Sequence, residues 1–426
     1  MSLLAKFQAQ LPTAAKRLLI AFSGGLDSTA LLALCYQLRC QHPAITLRAI
    51  HIHHGLSSNA DAWTQHCQEL CQQWQIPLII ERLALATTGN IEATARDARY
   101  RAIKQHWQSD ELLLTAHHLQ DQSETFLLAL KRGSGILGLS AMQTQNTLYG
   151  MPLCRPLLAF SRSELEHFIL SEKLHWIEDE SNQDSSYERN FLRNEILPQL
   201  RQRWRHIDQA ISRSAKHCLE SQLLIEELLE EDFHRHCPAQ ANVFHLNAFK
   251  TYSIARQRAL LRLWLSRLGQ SMPGQKQLDA LLENVINAQK DSNPQWQLGE
   301  LIVRRYQNNL YLTPQFTDLC NYSAELNIGH SLELPDNLGL LESHKQQDGI
   351  LFRWGSQQLL LPLTWQAIFI RFGHSGRLRY QPNRPRETFK KLCQAAAIPP
   401  WQRGRLPLIY YGETLQGILG LCQVFE

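Results

Sequence analysis

The segment Ser23-Gly24-Gly25-Leu26-Asp27-Ser28 has the residue types of a phosphate-binding loop. Two glycines let the backbone turn tightly and approach a ligand closely. A helix starting directly behind them offers free N–H groups and the positive end of its dipole, which favour a bound phosphate. Ser23 and Ser28 can donate hydroxyl hydrogen bonds to the same oxygens. Asp27 is unexpected beside a phosphate, because like charges repel. A Mg²⁺ ion between the two removes the conflict. The loop is not a Walker A sequence, since no Gly-Lys-Ser/Thr follows. The competing reading is a plain strand–helix turn in which Asp27 or Ser28 caps the helix.

Such a loop needs a strand before it and a helix after it, and the pattern supplies both. Arg17–Phe22 is a short apolar run, and Ser28–Arg39 carries Leu31, Leu32, Leu34 and Leu38 on one helical face. Further strands are expected at Thr46–Ile52, from Pro77 to Ile80, and at Leu112–Ala116, with helices at Ala60–Trp74, Ile91–Trp107 and Ser123–Lys131. Short apolar strands separated by helices indicate a parallel sheet covered on both faces, with ligands at the carboxyl ends of its strands. The expected class is α/β: a doubly wound parallel sheet in an N-terminal domain, then a helical domain and a small α+β C-terminal domain. The expected limits are 1–210, 211–320 and 340–426. Ser161-Arg-Ser-Glu164 is a capping box that opens another helix. Asn194–Leu229, Arg256–Leu268 and Gln275–Asn287 look helical, and Leu301–Leu312 reads as a pair of strands.

The loop resembles the pyrophosphate loop of the N-type ATP pyrophosphatases, written SGGxDS in that family. Further segments narrow the resemblance. They are His51-Ile-His53-His54-Gly55-Leu56, Asn90-Ile-Glu92 through Ala95-Arg96-Asp97-Ala98-Arg99-Tyr100, and Thr115-Ala116-His117-His118-Leu119-Gln120-Asp121-Gln122-Ser123-Glu124-Thr125. Gly133-Ser-Gly135-Ile-Leu-Gly138, Trp176-Ile-Glu-Asp179-Glu-Ser181-Asn182 and Tyr187-Glu-Arg189-Asn190-Phe-Leu-Arg193 continue it. Near the C-terminus stand Lys390-Lys-Leu-Cys-Gln-Ala-Ala-Ala-Ile398-Pro399-Pro400-Trp401, Arg405 and Pro407. Jointly these segments are similar to the tRNA(Ile)-lysidine synthases over nearly the whole chain, least so at about 210–360. The resemblance implies an adenine nucleotide alpha hydrolase-like fold, ATP and Mg²⁺ as cofactors, and two substrates: tRNA(Ile) with a CAU anticodon, and free L-lysine. The implied reaction adenylates the carbonyl oxygen on carbon 2 of the wobble cytidine. Lysine then displaces AMP, and codon reading changes from AUG to AUA.

Within that chemistry, Ser23, Gly24, Gly25, Leu26, Asp27 and Ser28 are expected to hold the nucleotide together with His53 and His117, and Asp27 to hold the metal. Arg96 and Arg99 lie three apart on one helix, can face one cleft, and can bind phosphate bidentately. The alternative is a surface ion-pair face with Asp97 and Glu92. Asp121 and Glu124 also lie three apart, where a strand ends and a helix starts. One can bind an ammonium group while the other orients the attacking amine. Asp121 as a helix cap is the plainer role, and the two are compatible. The ε-amine of free lysine has a pKa of about 10.4, so the site must remove a proton. A carboxylate or one of His53, His54, His117 and His118 can serve as base. Adjacent strand residues point to opposite faces, which argues against His53 and His54 sharing a metal.

Composition bounds the rest. The chain has 426 residues, 44% hydrophobic and 19% charged, which fits about two to four globular domains. No run of about 18 apolar residues occurs and the first residues lack a signal-peptide pattern, so a cytoplasmic protein without a membrane segment is expected. None of the ten cysteines forms Cys-x-x-Cys, and all ten read as small buried hydrophobes. The net charge is only +4, but between Arg371 and Pro407 nine Lys or Arg face one acid, Glu387. That concentration is the footprint of a polyanion partner. Trp401 and Tyr380 there are stacking or packing groups. A homodimer is compatible with the sequence. Two other functions compete: a tRNA thiolase with the same loop, which would need reactive cysteines, and a non-catalytic nucleotide-dependent RNA-binding protein.

Overall fold

Leu18, Leu19 and Ile20 are all buried, as the central strand of a covered parallel sheet requires. The computed structural model describes residues 2–53, 59–83, 91–178, 180–238, 242–289 and 292–425, with the backbone alone at 91–95 and 181. The chain divides into two compact units, Met1–Glu227 and Leu228–Glu426.

The first unit runs α1 (Leu3–Gln8), β1 (Arg17–Ala21), α2 (Leu26–Gln41), β2 (Thr46–His53), α3 (Ala60–Gln73), β3 (Leu78–Arg82), α4 (Ile91–His106), β4 (Leu112–Leu114) and α5 (Leu119–Lys131). It continues with α6 (Ile136–Leu139), β5 (Gln145–Leu148), β6 (Met151–Cys154), α7 (Arg162–Ser171), α8 (Glu188–Phe191) and α9 (Leu197–Arg203). A π-turn at Leu192–Ile196 joins α8 to α9. The long α10 (Ile207–His236) follows and crosses the boundary between the units.

The strand order is β3-β2-β1-β4-β6-β5. The first five are parallel neighbours and β5 is an antiparallel edge strand. The chain builds outward from β1 to β3, then restarts on the other side at β4. The topological switch point therefore lies between β1 and β4, where such sheets open a crevice for ligands. Alternation along β1 divides the core. Leu18 and Ile20 pack with Leu31, Leu34 and Cys67 of α2 and α3 on one face, while Leu19 packs with Tyr100 and Ile103 of α4 on the other.

Two differences from the sequence reading bear on the site. Helix α5 starts at Leu119, not Ser123, because His118 caps it, so Asp121 and Glu124 both lie inside its first turns. The β5–β6 hairpin is absent from the sequence reading. Each of its strands has four residues, too few for a period, and Pro152 interrupts the second.

The second unit contains α11 (Ile254–Arg267) and α12 (Gln275–Leu281) beside an antiparallel sheet of β7 (Val243–His245), β8 (Gln295–Leu298), β9 (Leu301–Tyr306) and β10 (Asn309–Pro314). Beyond it come β11 (Ser323–Glu325), then a meander of β12 (Ser331–Leu334), β13 (Gly339–Gln346), β14 (Gly349–Trp354) and β15 (Gln357–Leu361). The chain then runs β16 (Ile368–Arg371), a two-stranded ribbon of β17 (Arg377–Leu378) and β18 (Glu387–Thr388), α13 (Phe389–Ala395) and α14 (Pro400–Arg403). It closes with β19 (Leu408–Tyr411), β20 (Thr414–Ile418) and β21 (Cys422–Gln423), which complete a sheet with β11 and β16. Leu341, Ile350 and Phe352 of the meander pack against Ile368, Ile370 and Ile409 of that last sheet.

Candidate active site

The Ser23–Ser28 loop leaves β1 at the switch point and enters α2 directly. The helix cap is Gly25, which has no side chain to satisfy the first-turn amides, so those N–H groups stay available to a ligand. Neither Asp27 nor Ser28 is the cap. Ser28 Oγ instead donates to Gly25 O at 3.0 Å and lies 3.0 Å from Ser23 Oγ, which places two hydroxyls on one rim. Gly24 has φ +87°, a left-handed conformation. A Cβ there would meet Cys67 Sγ at 3.0 Å and Ile177 Cδ1 at 3.1 Å. The loop is clasped from outside as well: Ile177 N donates to Gly24 O at 2.9 Å. Loop and clasp together form a cradle that excludes side chains and presents backbone.

Asp27 lies at the start of α2 and turns toward the neighbouring strand's loop. Its Oδ1 is 3.5 Å from His118 Nε2, and that buried oxygen has no closer polar partner among the described residues. An orphaned buried carboxylate oxygen beside a phosphate cradle fits a divalent cation, and Mg²⁺ needs only one or two protein carboxylates when phosphates and water complete its shell.

His118 caps α5, and its Nδ1 accepts from Gln120 N at 3.1 Å. Burial depresses its pKa, but Asp121, Asp27 and Glu124 outweigh burial and raise it overall. The cap bond requires an unprotonated Nδ1, so a neutral ring with its proton on Nε2 serves the cap and the carboxylates at once. Asp121 completes a capping box by accepting from His118 N at 2.9 Å. The plainer role expected for Asp121 is thus present.

Asp121 and Glu124 do meet, but with a partner that the spacing argument missed. Arg193, from the π-turn, donates to both oxygens of Glu124 at 2.7 and 3.0 Å and to Asp121 Oδ1 at 3.0 Å. Arg189 Nε lies 3.6 Å from Glu124 Oε2, and its other end donates to Thr125 Oγ1 at 3.1 Å. Glu124 is fully buried, which pushes its pKa up against the pull of Arg193. Burial also works to raise Asp121, but His118, His117 and Arg193 hold it below its usual range. The acidic pair already carries a resident cation. The four-residue spacing of Arg189 and Arg193 in a helical stretch was the available sequence signal.

His117 Nδ1 lies 3.0 Å from Thr115 Oγ1. Its pKa is pushed down to about 4 by burial, with Arg155, Arg189 and Arg96 acting the same way against Asp121. It is neutral at pH 7. His53 ends β2, buried, with Nε2 3.4 Å from Asp61 Oδ1. On α4, the Arg96 guanidinium lies over the Tyr100 ring, 5.9 Å from its centroid. Asp97 pairs with Arg101 at 2.8 Å, not with Arg96 or Arg99. Arg96 and Arg99 are both exposed and neither makes a polar contact with the loop among the described residues, although Arg96 reaches the electrostatic surroundings of His117. The expectations for His54, the Gly55-Leu56 segment, Asn90, Asp179 and the Glu92 side chain lie outside the described residues.

In the second unit the basic segment divides by exposure. Arg377, Arg384, Arg386, Lys390 and Lys391 are exposed. Arg371 is held by both oxygens of Glu413 at 2.9 Å, and Arg405 is buried on Asp336. Trp401 packs edge-on against Tyr306 and Tyr311 with Arg304 over its ring, so it is a packing group. Tyr380 is partly buried in the small core around Phe389 and Leu392. Cys67 and Cys71 lie in the first unit's core, where burial pushes both thiols up to about 12. The expectation of ten buried cysteines nevertheless fails: Cys40 and Cys320 are exposed, and Cys218, Cys237 and Cys422 are only partly covered.

Residues 2–200 match the family described as a PP-loop domain, 244–311 the TilS substrate binding domain, and 368–424 the TilS substrate C-terminal domain. A tRNA(Ile)-lysidine synthase of Haemophilus influenzae (strain 86-028NP) is 53% identical over 433 residues, covering 100% of both chains. This chain belongs to the tRNA(Ile)-lysidine synthase family. The enzyme of that name from Histophilus somni (strain 129Pt) is 49% identical over 100% of both chains. That of Serratia proteamaculans (strain 568) is 46% identical over 95% of this chain and 91% of its own. In this tRNA(Ile)-lysidine synthase family member the PP-loop match covers the cradle, Asp121, Glu124 and Arg193, and both TilS matches fall in the second unit. PP-loop ATP pyrophosphatases use ATP, so ATP is the nucleotide of this family member. No helix among the described residues is long and apolar enough to cross a membrane.

Proposed function

We propose that this chain, as a tRNA(Ile)-lysidine synthase, joins free L-lysine to carbon 2 of the wobble cytidine of tRNA(Ile) bearing a CAU anticodon. The observation that carries this reading is the convergence at one switch point of an uncapped phosphate cradle, an orphaned Asp27 oxygen and a buried carboxylate pair. In the first step the cytidine carbonyl oxygen bonds to the α-phosphorus of ATP, and the bond to the β-phosphate oxygen breaks, releasing pyrophosphate. In the second, the lysine ε-nitrogen bonds to carbon 2, the carbon–oxygen bond to AMP breaks, and the amine gives up a proton.

The α2 amides, Ser23 and Ser28 are assigned to the departing phosphates, where donors fixed in advance stabilise developing charge. Asp27 would hold Mg²⁺, which supplies charge neutralisation on the phosphates. Arg96 and Arg99 are assigned to the phosphate side. Asp121 and Glu124 are assigned to lysine, with Arg193 as their counter-ion before it binds. Each carboxylate oxygen keeps a second lone pair for an ammonium proton. Glu124 is the best matched base. Burial raises its pKa, whereas Asp121 is held low. His53 and His117 are assigned to the nucleotide. Segments 211–320 and 340–426 are assigned to tRNA, in a cytoplasmic protein.

The test is transfer of labelled lysine to total bacterial tRNA with ATP and Mg²⁺, followed by mild alkali. Label that needs ATP and survives alkali is expected, because an ester to the ribose would be lost. Pyrophosphate release that needs tRNA but not lysine, with no stable label, would turn the assignment toward another nucleophile. A thiolase is disfavoured by the TilS domain matches and the full-length similarity to tRNA(Ile)-lysidine synthases. A non-catalytic binder is disfavoured by the full-length similarity to enzymes named tRNA(Ile)-lysidine synthase.

A further inference from the structure

Arg155 is a buried cation that the reading above leaves without a task. It is 3% exposed and directly follows β6. The parallel register pairs Leu113 with Leu153 and Leu114 with Cys154, which puts Arg155 level with Thr115 at the carboxyl edge of the sheet. Leu153 faces the α4 side of the core and Cys154 the other side, so alternation turns Arg155 toward α4. Arg96 and Tyr100 lie there. One guanidinium nitrogen donates to Gln143 O at 2.8 Å, while Nε is buried with no partner among the described residues.

Arg305 donates to two backbone carbonyls, Ile286 O and Gln289 O, and Arg405 pairs with Asp336. Arg155 has one carbonyl and, among the described residues, no carboxylate. Its charged neighbour Arg96 has its own sign and, after burial, adds to the lowering of its pKa. An unpaired buried cation is costly unless something anionic completes it.

We infer that Arg155 is the cation of an anion subsite at the carboxyl edges of β4 and β6, bordering Arg96 of the nucleotide side, that receives a backbone phosphate of the tRNA beside the reacting cytidine. This rests on the lysidine synthase reading. The sheet order places β6 two strands from β1, or about 10 Å at the usual strand spacing, away from the cradle that receives the pyrophosphate. A guanidinium fork with a free Nε suits a phosphodiester, and neutral His117 beside it adds no competing charge.

The experiment uses the full chain and the variants Arg155→Met and Arg155→Lys. The readouts are KM for tRNA, Kd for ATP, filter-bound tRNA against salt, and Tm. R155M is expected to raise the tRNA KM about tenfold or more, leave the ATP Kd unchanged, and lower the salt slope by about one. R155K is expected to recover part of the loss, since it keeps charge without the fork. Tm should fall little, because the change gives up one hydrogen bond to Gln143 O but also a buried charge with no carboxylate partner among the described residues. A weakened ATP Kd with unchanged tRNA KM would assign the phosphate to the nucleotide and overturn the inference. Unchanged binding of both would overturn it too, as would a fall in Tm that accounts for the whole loss. If the wild type transfers no lysine, the function reading fails, while the tRNA affinity and salt slope still judge Arg155.

Discussion

Asp27 and Gly24 show how much a single side chain decides in the cradle. Asp27 Oδ1 is buried and, among the described residues, has only the long 3.5 Å approach of His118 Nε2, an environment that suits a cation. Asp27→Ala should therefore lose pyrophosphate release by roughly 10²-fold or more while Tm holds or rises. Unchanged turnover would remove Asp27 from the metal role. Gly24→Ala should do the opposite kind of damage. Its positive φ and its 3.0 Å approach to Cys67 Sγ predict a loss of about 1–3 kcal/mol in urea unfolding, together with loss of ATP binding. His117 gives a pH signature. Its folded pKa, pushed to about 4, lies below the ordinary 6.5, so the unfolded chain takes up the proton first. Stability is thus intact above about pH 6.5 and falls as pH drops toward 4, by at most about 3 kcal/mol. His117→Gln should flatten that part of the urea-derived profile, and an equal slope in both proteins would remove His117 as its source.

At the scale of elements, α5 and the α8–α9 run are locked together by the pair Glu124–Arg193. Glu124→Ala leaves a largely enclosed guanidinium without its bidentate partner, so a loss of about 2–4 kcal/mol is expected by thermal or urea unfolding. Glu124→Gln, which keeps one acceptor, should lose less. The same elements mark how far the sequence could be read. Loop 23–28, its strand and its helix were legible because glycines, an apolar run and a Leu-rich face agree. The start of α5 was not, because His is a rare cap and its capping box closes through Asp121 rather than Glu. Arg193 was legible as part of a motif but not as the partner of Glu124. The two lie 69 residues apart in sequence, and only packing brings them to 2.7 Å. The free state of Asp27 Oδ1 was foreshadowed by the oddity of an acid in a phosphate loop, whereas the isolation of Arg155 had no sequence signal.

At the scale of the whole molecule, the basic segment separates structural charge from charge free to meet a polyanion. Arg371 and Arg405 are neutralised within the second unit, so the local excess of cations overstates the binding surface. Arg377, Arg384, Arg386, Lys390 and Lys391 remain exposed and without a carboxylate partner among the described residues. Removing residues 340–426 would be a poor test of them. That cut falls inside β13 and takes away most of the core that holds the meander to its neighbouring sheet, Leu341, Ile350, Phe352, Ile368, Ile370 and Ile409 among it. Loss of tRNA binding would then report unfolding. Replacing Arg384, Arg386, Lys390 and Lys391 by Ala leaves that core intact. If all four meet phosphates, the slope of log affinity for tRNA against log salt should become shallower by about 3–4, and affinity at low salt should fall steeply. The KM for ATP should not move, since the cradle lies in the other unit. A slope unchanged within one unit would mean that the tRNA contacts these cations little and that recognition lies elsewhere on the chain. A slope that falls while ATP binding also weakens would tie the basic segment to the chemistry itself rather than to holding the tRNA.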